Sequence, residues 1–477
     1  MAMIASIAWK NVWRNRTRSL TVISAVAVGV FAGVFTIAAM NSSVVQRIEE
    51  ALNVELSHIQ LNNKDFRSNT DVNNLLPESD TLVSRLHTFP GVTDVTGRIL
   101  VNGIASTANK SSGVVIHGID VEKERTMFAL DDKVIPGTGN YFGTTTRFNT
   151  VLIGEKLAKE LRIIRYILTP EQLEGYDRVK FPETLVTKVS PIFGRRFITE
   201  KKFGEALDSL LTPKERRKYG YPLRQAAWSF REGSRIILSF LDVNDIQTSA
   251  AFRISGVFRT NNDMFEGISV FVPEGEFRQL TGLPEGVCHR LICRLNDNDL
   301  TDKITPAMRE TFTGLEVLSW KEIQPDMAML ADMMQQIYGI FMAIILAALA
   351  FGIVNTMLMA VLERTKELGM LAAIGMNREK TFMMIMLESV FLSITGGVAG
   401  MVISGVVITT TAKNGINLVK YSEGMEAMGF SAHLFPVIDA PFFIMTSLLI
   451  VLTGILSAVY PARKALKMNP LDALRTD

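Results

Sequence analysis

Four stretches of the chain are apolar without interruption, and everything else is arranged around them. They cover 20–40, 337–362, 382–411 and 442–460. A helix needs about 20 apolar residues to cross the hydrocarbon core of a bilayer, so each stretch is predicted to be a transmembrane α-helix. The third contains one ionisable residue, Glu388, and the others contain none. Between the first and second spans the pattern changes to short alternating runs, the signature of half-buried strands. Strands are expected over 56–66, 92–99, 113–119, 234–241, 251–258, 268–272, 288–295 and 315–320, and helices over 81–88, 154–161 and 300–311.

The strands and helices at the two ends of this segment form two β-α-β units. They are expected to join as one lobe (41–110 with 281–326), with 111–280 inserted as a second, β-rich lobe. Inside the insert, 162–233 is rich in Arg, Lys, Tyr, Phe and Pro. Pro182, Pro191, Pro213 and Pro222 are expected to break any long helix there. Its aromatic residues Tyr176, Phe193, Phe197, Phe203, Tyr219, Tyr221 and Trp228 either form a contact surface or make a small local core. The fold class is therefore a membrane protein of four transmembrane α-helices plus a large α/β extracytoplasmic domain.

Composition agrees with this division. The chain has 477 residues, 48% hydrophobic and 21% charged, which suits a few spans joined to a large soluble portion. A net charge of +2 with no basic face argues against nucleic acid as a partner. Lysine and arginine near the spans set the orientation. Lys10, Arg14, Arg16 and Arg18 precede the first span; Arg364, Lys366, Arg378 and Lys380 follow the second; Arg463, Lys464, Lys467 and Arg475 follow the fourth. All three groups fall on one side, expected to be the cytoplasm. Both termini are then inside, and 41–336 with the loop 412–441 outside. The first apolar run is too long for a signal-peptide core of about 7–15 residues, so an uncleaved anchor is expected.

Catalytic chemistry is sparse. No phosphate-binding G-x-x-x-x-G-K-[ST], no H-E-x-x-H and no G-x-S-x-G occurs, and the five histidines are scattered. Cys288 and Cys293 lie on opposite faces if their segment is a strand, which disfavours a mutual disulfide. No catalytic residue, metal site or cofactor is expected, and the chain is not expected to be an enzyme. Glu388 is a functional candidate by its position within a span, or a residue that faces other helices. Gly396, Gly397, Gly400, Ser404 and Gly405 supply small residues for close helix packing, open to use in a dimer. The segments 1–19, 363–381 and 461–477 are short, charged and amphipathic, as expected of parts gripped by another protein.

Glu363-Arg364-Thr365-Lys366-Glu367-Leu368-Gly369-Met370-Leu371-Ala372-Ala373-Ile374-Gly375-Met376, followed by Asn377 and Arg378, resembles the segment between the second and third spans of MacB-type ABC permeases. Tyr460-Pro461-Ala462-Arg463 and 469–475 resemble that superfamily's closing signature, and Ala8-Trp9-Lys10-Asn11-Val12-Trp13-Arg14 its N-terminal helix. The resemblance implies that 363–381 holds a coupling helix that docks into an ABC ATPase. Glu363, Arg364, Lys366, Glu367, Leu368, Gly369, Leu371, Ile374, Gly375 and Arg378 are its candidate residues, with Leu368, Leu371, Ile374 and Met376 as the apolar contact. Partners implied are two ATPase subunits, which bind the ATP and magnesium, and a second permease copy or homologous permease.

Pro90-Gly91-Val92, His117-Gly118-Ile119-Asp120, Ile153-Gly154-Glu155-Lys156 and Phe252-Arg253-Ile254-Ser255-Gly256 resemble the outer domain of lipoprotein-releasing (Lol-type) permeases. That resemblance implies porter-like and sabre-like lobes and extraction of lipoproteins from the outer leaflet of a bacterial inner membrane to a soluble carrier. Two other functions compete: MacB-like export of a periplasmic substrate, and regulation of cell-wall hydrolases as in cell-division complexes.

Overall fold

The structure is a computed structural model. It describes residues 2–477 except 78–79, 144–147, 175, 177–180, 231–232, 375, 419–424, 426–428, 432, 438–439 and 467–477. Two compact units divide the chain, one of membrane helices and one built on a large sheet.

Among its described residues the membrane unit contains six helices: α1 (Ala2–Arg14), α2 (Arg16–Glu50), α3 (Pro325–Glu363), α4 (Thr365–Ala373), α5 (Arg378–Asn414) and α6 (Ala440–Leu466). Among the described residues four helices, α2, α3, α5 and α6, are long and apolar enough to cross a bilayer. Every one extends beyond its apolar run, because intrahelical hydrogen bonds need no apolar residues to continue. Pro461 accordingly lies inside α6 rather than ending it.

Glycines set how closely these helices approach. A Cβ on Gly400 would stand 2.6 Å from the Ala27 carbonyl oxygen, and one on Gly396 would stand 2.7 Å from Val26 Cβ, so α5 crosses α2 almost backbone to backbone. Gly397 receives Ile450 of α6, while Gly29 and Gly33 of α2 receive Leu349 and Ile345 of α3. The small residues that sequence left open to a dimer are thus used within the chain; only Gly405 has open space beside it.

The second unit is organised by nine strands: β1 (Ile59–Asn63), β2 (Val92–Ser106), β3 (Ser111–Ile119), β4 (Thr150–Gly154), β5 (Arg235–Leu241), β6 (Gln247–Phe258), β7 (Ser269–Pro273), β8 (Arg290–Leu295) and β9 (Leu315–Ser319). Their order is β9-β1-β8-β2-β3-β7-β4-β6-β5, and β5 returns to pair with β2. The strands β2, β3, β7, β4, β6 and β5 therefore close into a ring, while β9, β1 and β8 extend from the first half of β2 as an antiparallel layer.

That layer interleaves the two β-α-β units, in the order of a split β-α-β plait. Helices Asp80–His87 and Thr301–Thr311 supply Leu86, Ile304 and Met308 to a core shared with Ile59, Leu61 and Leu291. Cys288 and Cys293 are buried thiols in the same core, and burial pushes the Cys293 thiol up to about 12. The ring has its own core, in which Ile99, Val101, Ile116, Ile153, Leu238 and Phe252 alternate inward along their strands. Gly103 allows the closure: a Cβ there would meet the Ser239 carbonyl oxygen at 2.8 Å, where β2 reaches β5.

The segment 162–233 is folded. It leaves and rejoins the ring through a ribbon, Ile164–Tyr166 against Trp228–Phe230. Four α-helices stand between, Pro170–Glu174, Glu183–Val189, Glu200–Leu210 and Pro213–Ala227. Their core contains Leu185, Phe203, Leu207 and Leu223, with Tyr176, Phe193, Phe197, Tyr219 and Trp228 packed against it. Only Tyr221 of the expected aromatic surface is strongly exposed. Proline breaks helices here less than expected: Pro213 opens the longest one, where its missing N–H costs nothing, and Pro222 is accommodated within it.

Candidate coupling site

α1 and α2 are separated only by Asn15, and Arg14 and Arg18 stand on either side of that break. α1 is held by its apolar face: Ala8 and Val12, one turn apart, are buried, and Trp9 meets Phe391 of α5 edge-on at 5.5 Å. Ser19 donates to the Val12 carbonyl and locks the turn. Arg14 and Arg18 are thereby carried to the end of α3 and the start of α4.

Charges there alternate in sign. Arg18 reaches Glu363 at 3.5 Å, and Arg14 Nη2 donates to Glu367 Oε2 at 2.6 Å. Glu367 also accepts from Arg364 Nε at 3.1 Å, and Arg364 Nη1 donates to both oxygens of Glu388 at 3.0 and 3.2 Å. The carboxylate found within the third span is therefore one end of a chain of ion pairs that joins α5, the α3–α4 turn and α1.

The two ends differ in exposure. Arg14 and Glu367 keep 55% and 42% of their side-chain surface, whereas Arg364 and Glu388 keep 15% and 5%. A wet pair contributes about 0–1 kcal/mol; breaking a buried one leaves an uncompensated charge and costs about 3–5 kcal/mol. Hydrogen bonds from Arg14 and then Arg364 hold the Glu367 carboxyl below the usual range. Burial works against the Arg364 charge, but Glu388 and Glu367 outweigh it and raise its pKa.

Among the other candidates, Glu363, Lys366, Ile374 and Arg378 are exposed, Leu371 is half-buried and Gly369 is buried. Gly375 lies outside the described residues, as does 469–475 of the closing signature. Leu368 is half-buried and packs against the core of the membrane helices. The exposed stripe of α4 is instead Lys366, Met370 and Ile374, four residues apart, with Met370 52% and Ile374 85% exposed. Sequence reasoning missed Met370, and it missed Arg14 and Arg18 as partners. The one-turn spacing of those two arginines was a usable signal.

Comparison with known proteins finds likenesses over the membrane helices and beyond them. Residues 339–470 match the family model described as "FtsX-like permease C-terminal". The chain is similar to a "Macrolide export ATP-binding/permease protein MacB" of Chlorobium luteolum, 25% identical over 98% of this chain and 59% of the relative. These matches place its resemblance with the MacB-type ABC permease superfamily. A second relative, "ABC transporter permease YtrF" of Bacillus subtilis, is 37% identical over 27% of this chain and 29% of its own length. The chain thus spans 59% and 29% of the lengths of these two relatives. The solved extracellular domain of the noncanonic ABC-type transporter YknZ from Gram-positive bacteria covers 55% of this chain and 98% of its own, at 12% identity and a TM-score of 0.27.

Proposed function

We propose that this MacB-type permease is the membrane subunit of an ATP-driven transporter in the bacterial inner membrane, with both termini cytoplasmic and α4 docking into an ABC ATPase. The observation that supports this most is the exposed stripe Lys366–Met370–Ile374 on a short helix whose first turn is anchored by ion pairs. Exposed apolar side chains on an otherwise anchored helix provide buried contact area. The surrounding Glu363, Lys366 and Arg378 charges provide specificity. ATP binding moves the ATPases, α4 follows, and the anchor passes displacement to α1 and α5. Two such subunits, or one with a homologous permease, pair over two ATPases. The ring and the antiparallel layer serve as the sabre-like and porter-like lobes outside the membrane.

For the cargo, export of a substrate from the outer side of the membrane is the leading reading, because the likeness to MacB extends over 98% of this chain and so includes the outer segment. Release of acylated lipoproteins is the second reading, favoured by 117–120 and 153–158, whose residues stand at the ends of β3 and β4.

The docking claim is tested with the permease and its ATPase co-purified in lipid. Ile374→Asp and Met370→Asp are expected to lower permease-stimulated ATP hydrolysis roughly tenfold, the loss of about 1.4 kcal/mol of contact, with thermal stability unchanged. Unaltered stimulation in both would sink it. Release of an acylated lipoprotein but not its unacylated form would decide for the second cargo. Hydrolase activation with release of neither would decide against both.

A further inference from the structure

The sheet unit contains a half-open cavity of about 330 Å³ between β2, β3 and β8 and the segment 262–269, near the lower end of the range for small-molecule pockets. Its walls are largely apolar, with Phe66, Leu100, Val115 and Phe265 among them. Its polar groups are concentrated around two arginines, Arg98 and Arg290.

The arginines differ in what they already hold. Arg98 is committed: Nε and Nη2 bind both oxygens of Glu124 at 2.7 and 2.8 Å, and Nη1 donates to the Glu55 carbonyl at 3.3 Å. Arg290 makes one hydrogen bond, from Nε to the neutral Asn62 Oδ1 at 2.9 Å. Among the described residues the remaining donors of its guanidinium fork meet no carboxylate within ion-pair distance, and Glu316 acts on its charge only from further away. Burial and the adjacent Arg98 cation bring its pKa down to about 10. His117 lines the same cavity, buried against Phe271, and its Nδ1 has no hydrogen-bond partner. Buried polar groups are satisfied in nearly all folded proteins, so a guanidinium with spare donors and an unpartnered imidazole nitrogen lining one apolar cavity point to a ligand.

We propose that this cavity binds a small monocarboxylate with an apolar tail, its carboxylate on Arg290 and its tail along Leu100, Val115 and Phe265. A guanidinium fork fits a planar carboxylate with two parallel hydrogen bonds. One uncommitted positive charge neutralises a monoanion, and Glu55, which also lines the cavity, disfavours a dianion. The carboxylate belongs either to a free short-chain acid or to the C-terminus of a peptide ending in an apolar residue.

The test uses the full chain in lipid nanodiscs and saturation-transfer NMR, with empty nanodiscs as the blank. Hexanoate and N-acetyl-leucine represent the two sources, and hexanamide is the uncharged control. Hexanoate or N-acetyl-leucine is expected to bind, the tighter of them identifying the source, with hexanamide weaker by roughly tenfold or more. Arg290→Gln should remove that preference, and Arg290→Lys should retain part of it. Val115→Phe fills the cavity without altering its charge and should abolish binding, which keeps the test decisive if Arg290→Gln fails to fold. Signals equal to empty nanodiscs, an equal response to hexanamide, or binding unchanged in Arg290→Gln and Val115→Phe would each overturn the proposal. Displacement of hexanoate by inorganic phosphate at equal concentration would overturn the role of the tail.

Discussion

Arg364 at the end of the membrane helices and Arg290 in the sheet unit are both largely withdrawn from water, and they are in opposite electrostatic states. Arg364 binds two carboxylates, and its pKa rises; Arg290 binds one neutral amide, and its pKa falls to about 10. The first holds three helices in a fixed relation. The second leaves donors unspent. Burial of a charge therefore does not reveal its role; the sign and number of its partners do.

The largest effect should come from cutting the compensated pair. Arg364→Met strands Glu388 and Glu388→Ala strands Arg364, each expected to lower stability by about 3–5 kcal/mol in thermal or denaturant unfolding. The double variant Arg364→Met with Glu388→Leu should recover most of that. A change under about 0.5 kcal/mol in both single variants would end the distinction.

Acid should act next, and on the sheet unit. Burial, opposed in part by the hydrogen bond to the Val72 carbonyl, holds His289 down to about 4; burial and then Arg294 do the same for His58. Each folded-state value lies below the ordinary 6.5, so the native state binds fewer protons between these limits. Stability is then full above 6.5 and lost as pH falls towards 4, by at most about 3 kcal/mol per histidine. Glu266 opposes this: burial raises its carboxyl to about 7, so its contribution is present at low pH and lost as pH rises from about 4.5 to 7. Imidazole NMR titrations of His58 and His289 with midpoints near 6.5 would remove the acid effect.

Arg14→Ala touches only the wet end of the ion-pair chain and should cost less than about 1 kcal/mol, while loosening the coupling of α4 to ATP hydrolysis. Full coupling in that variant would show that the buried end suffices. Arg290→Met should be the smallest, within about 1 kcal/mol of neutral, since relief of an uncompensated charge is set against one lost bond to Asn62. A loss as large as that of Arg364→Met would erase the comparison.

Much of this was legible in sequence because it is local. Long apolar runs announce the four spans, and the alternation at 113–119 and 251–258 announces β3 and β6. Pairing between distant elements is not local, so nothing near Gly103 indicates that β2 meets β5 and closes a ring. Arg14 and Glu367 stand 353 residues apart, and neither marks the other. The segment 363–381 was legible as short, charged and amphipathic, but its exposed stripe was not. The amphipathic pattern of α4 offers more than one apolar face, and only the packing of Leu368 shows which is already used.

The ribbon at 164–166 and 228–230 has a consequence for how this chain came by its insertion. Three residues enter beside three that leave, so the ring experiences the whole folded segment as it would the tip of a hairpin. A graft with adjoining ends disturbs no register and strains no strand. Excising 167–227 and joining the ribbon with an Asn-Gly turn should leave the host sheet intact, and a different small domain could be spliced at the same seam.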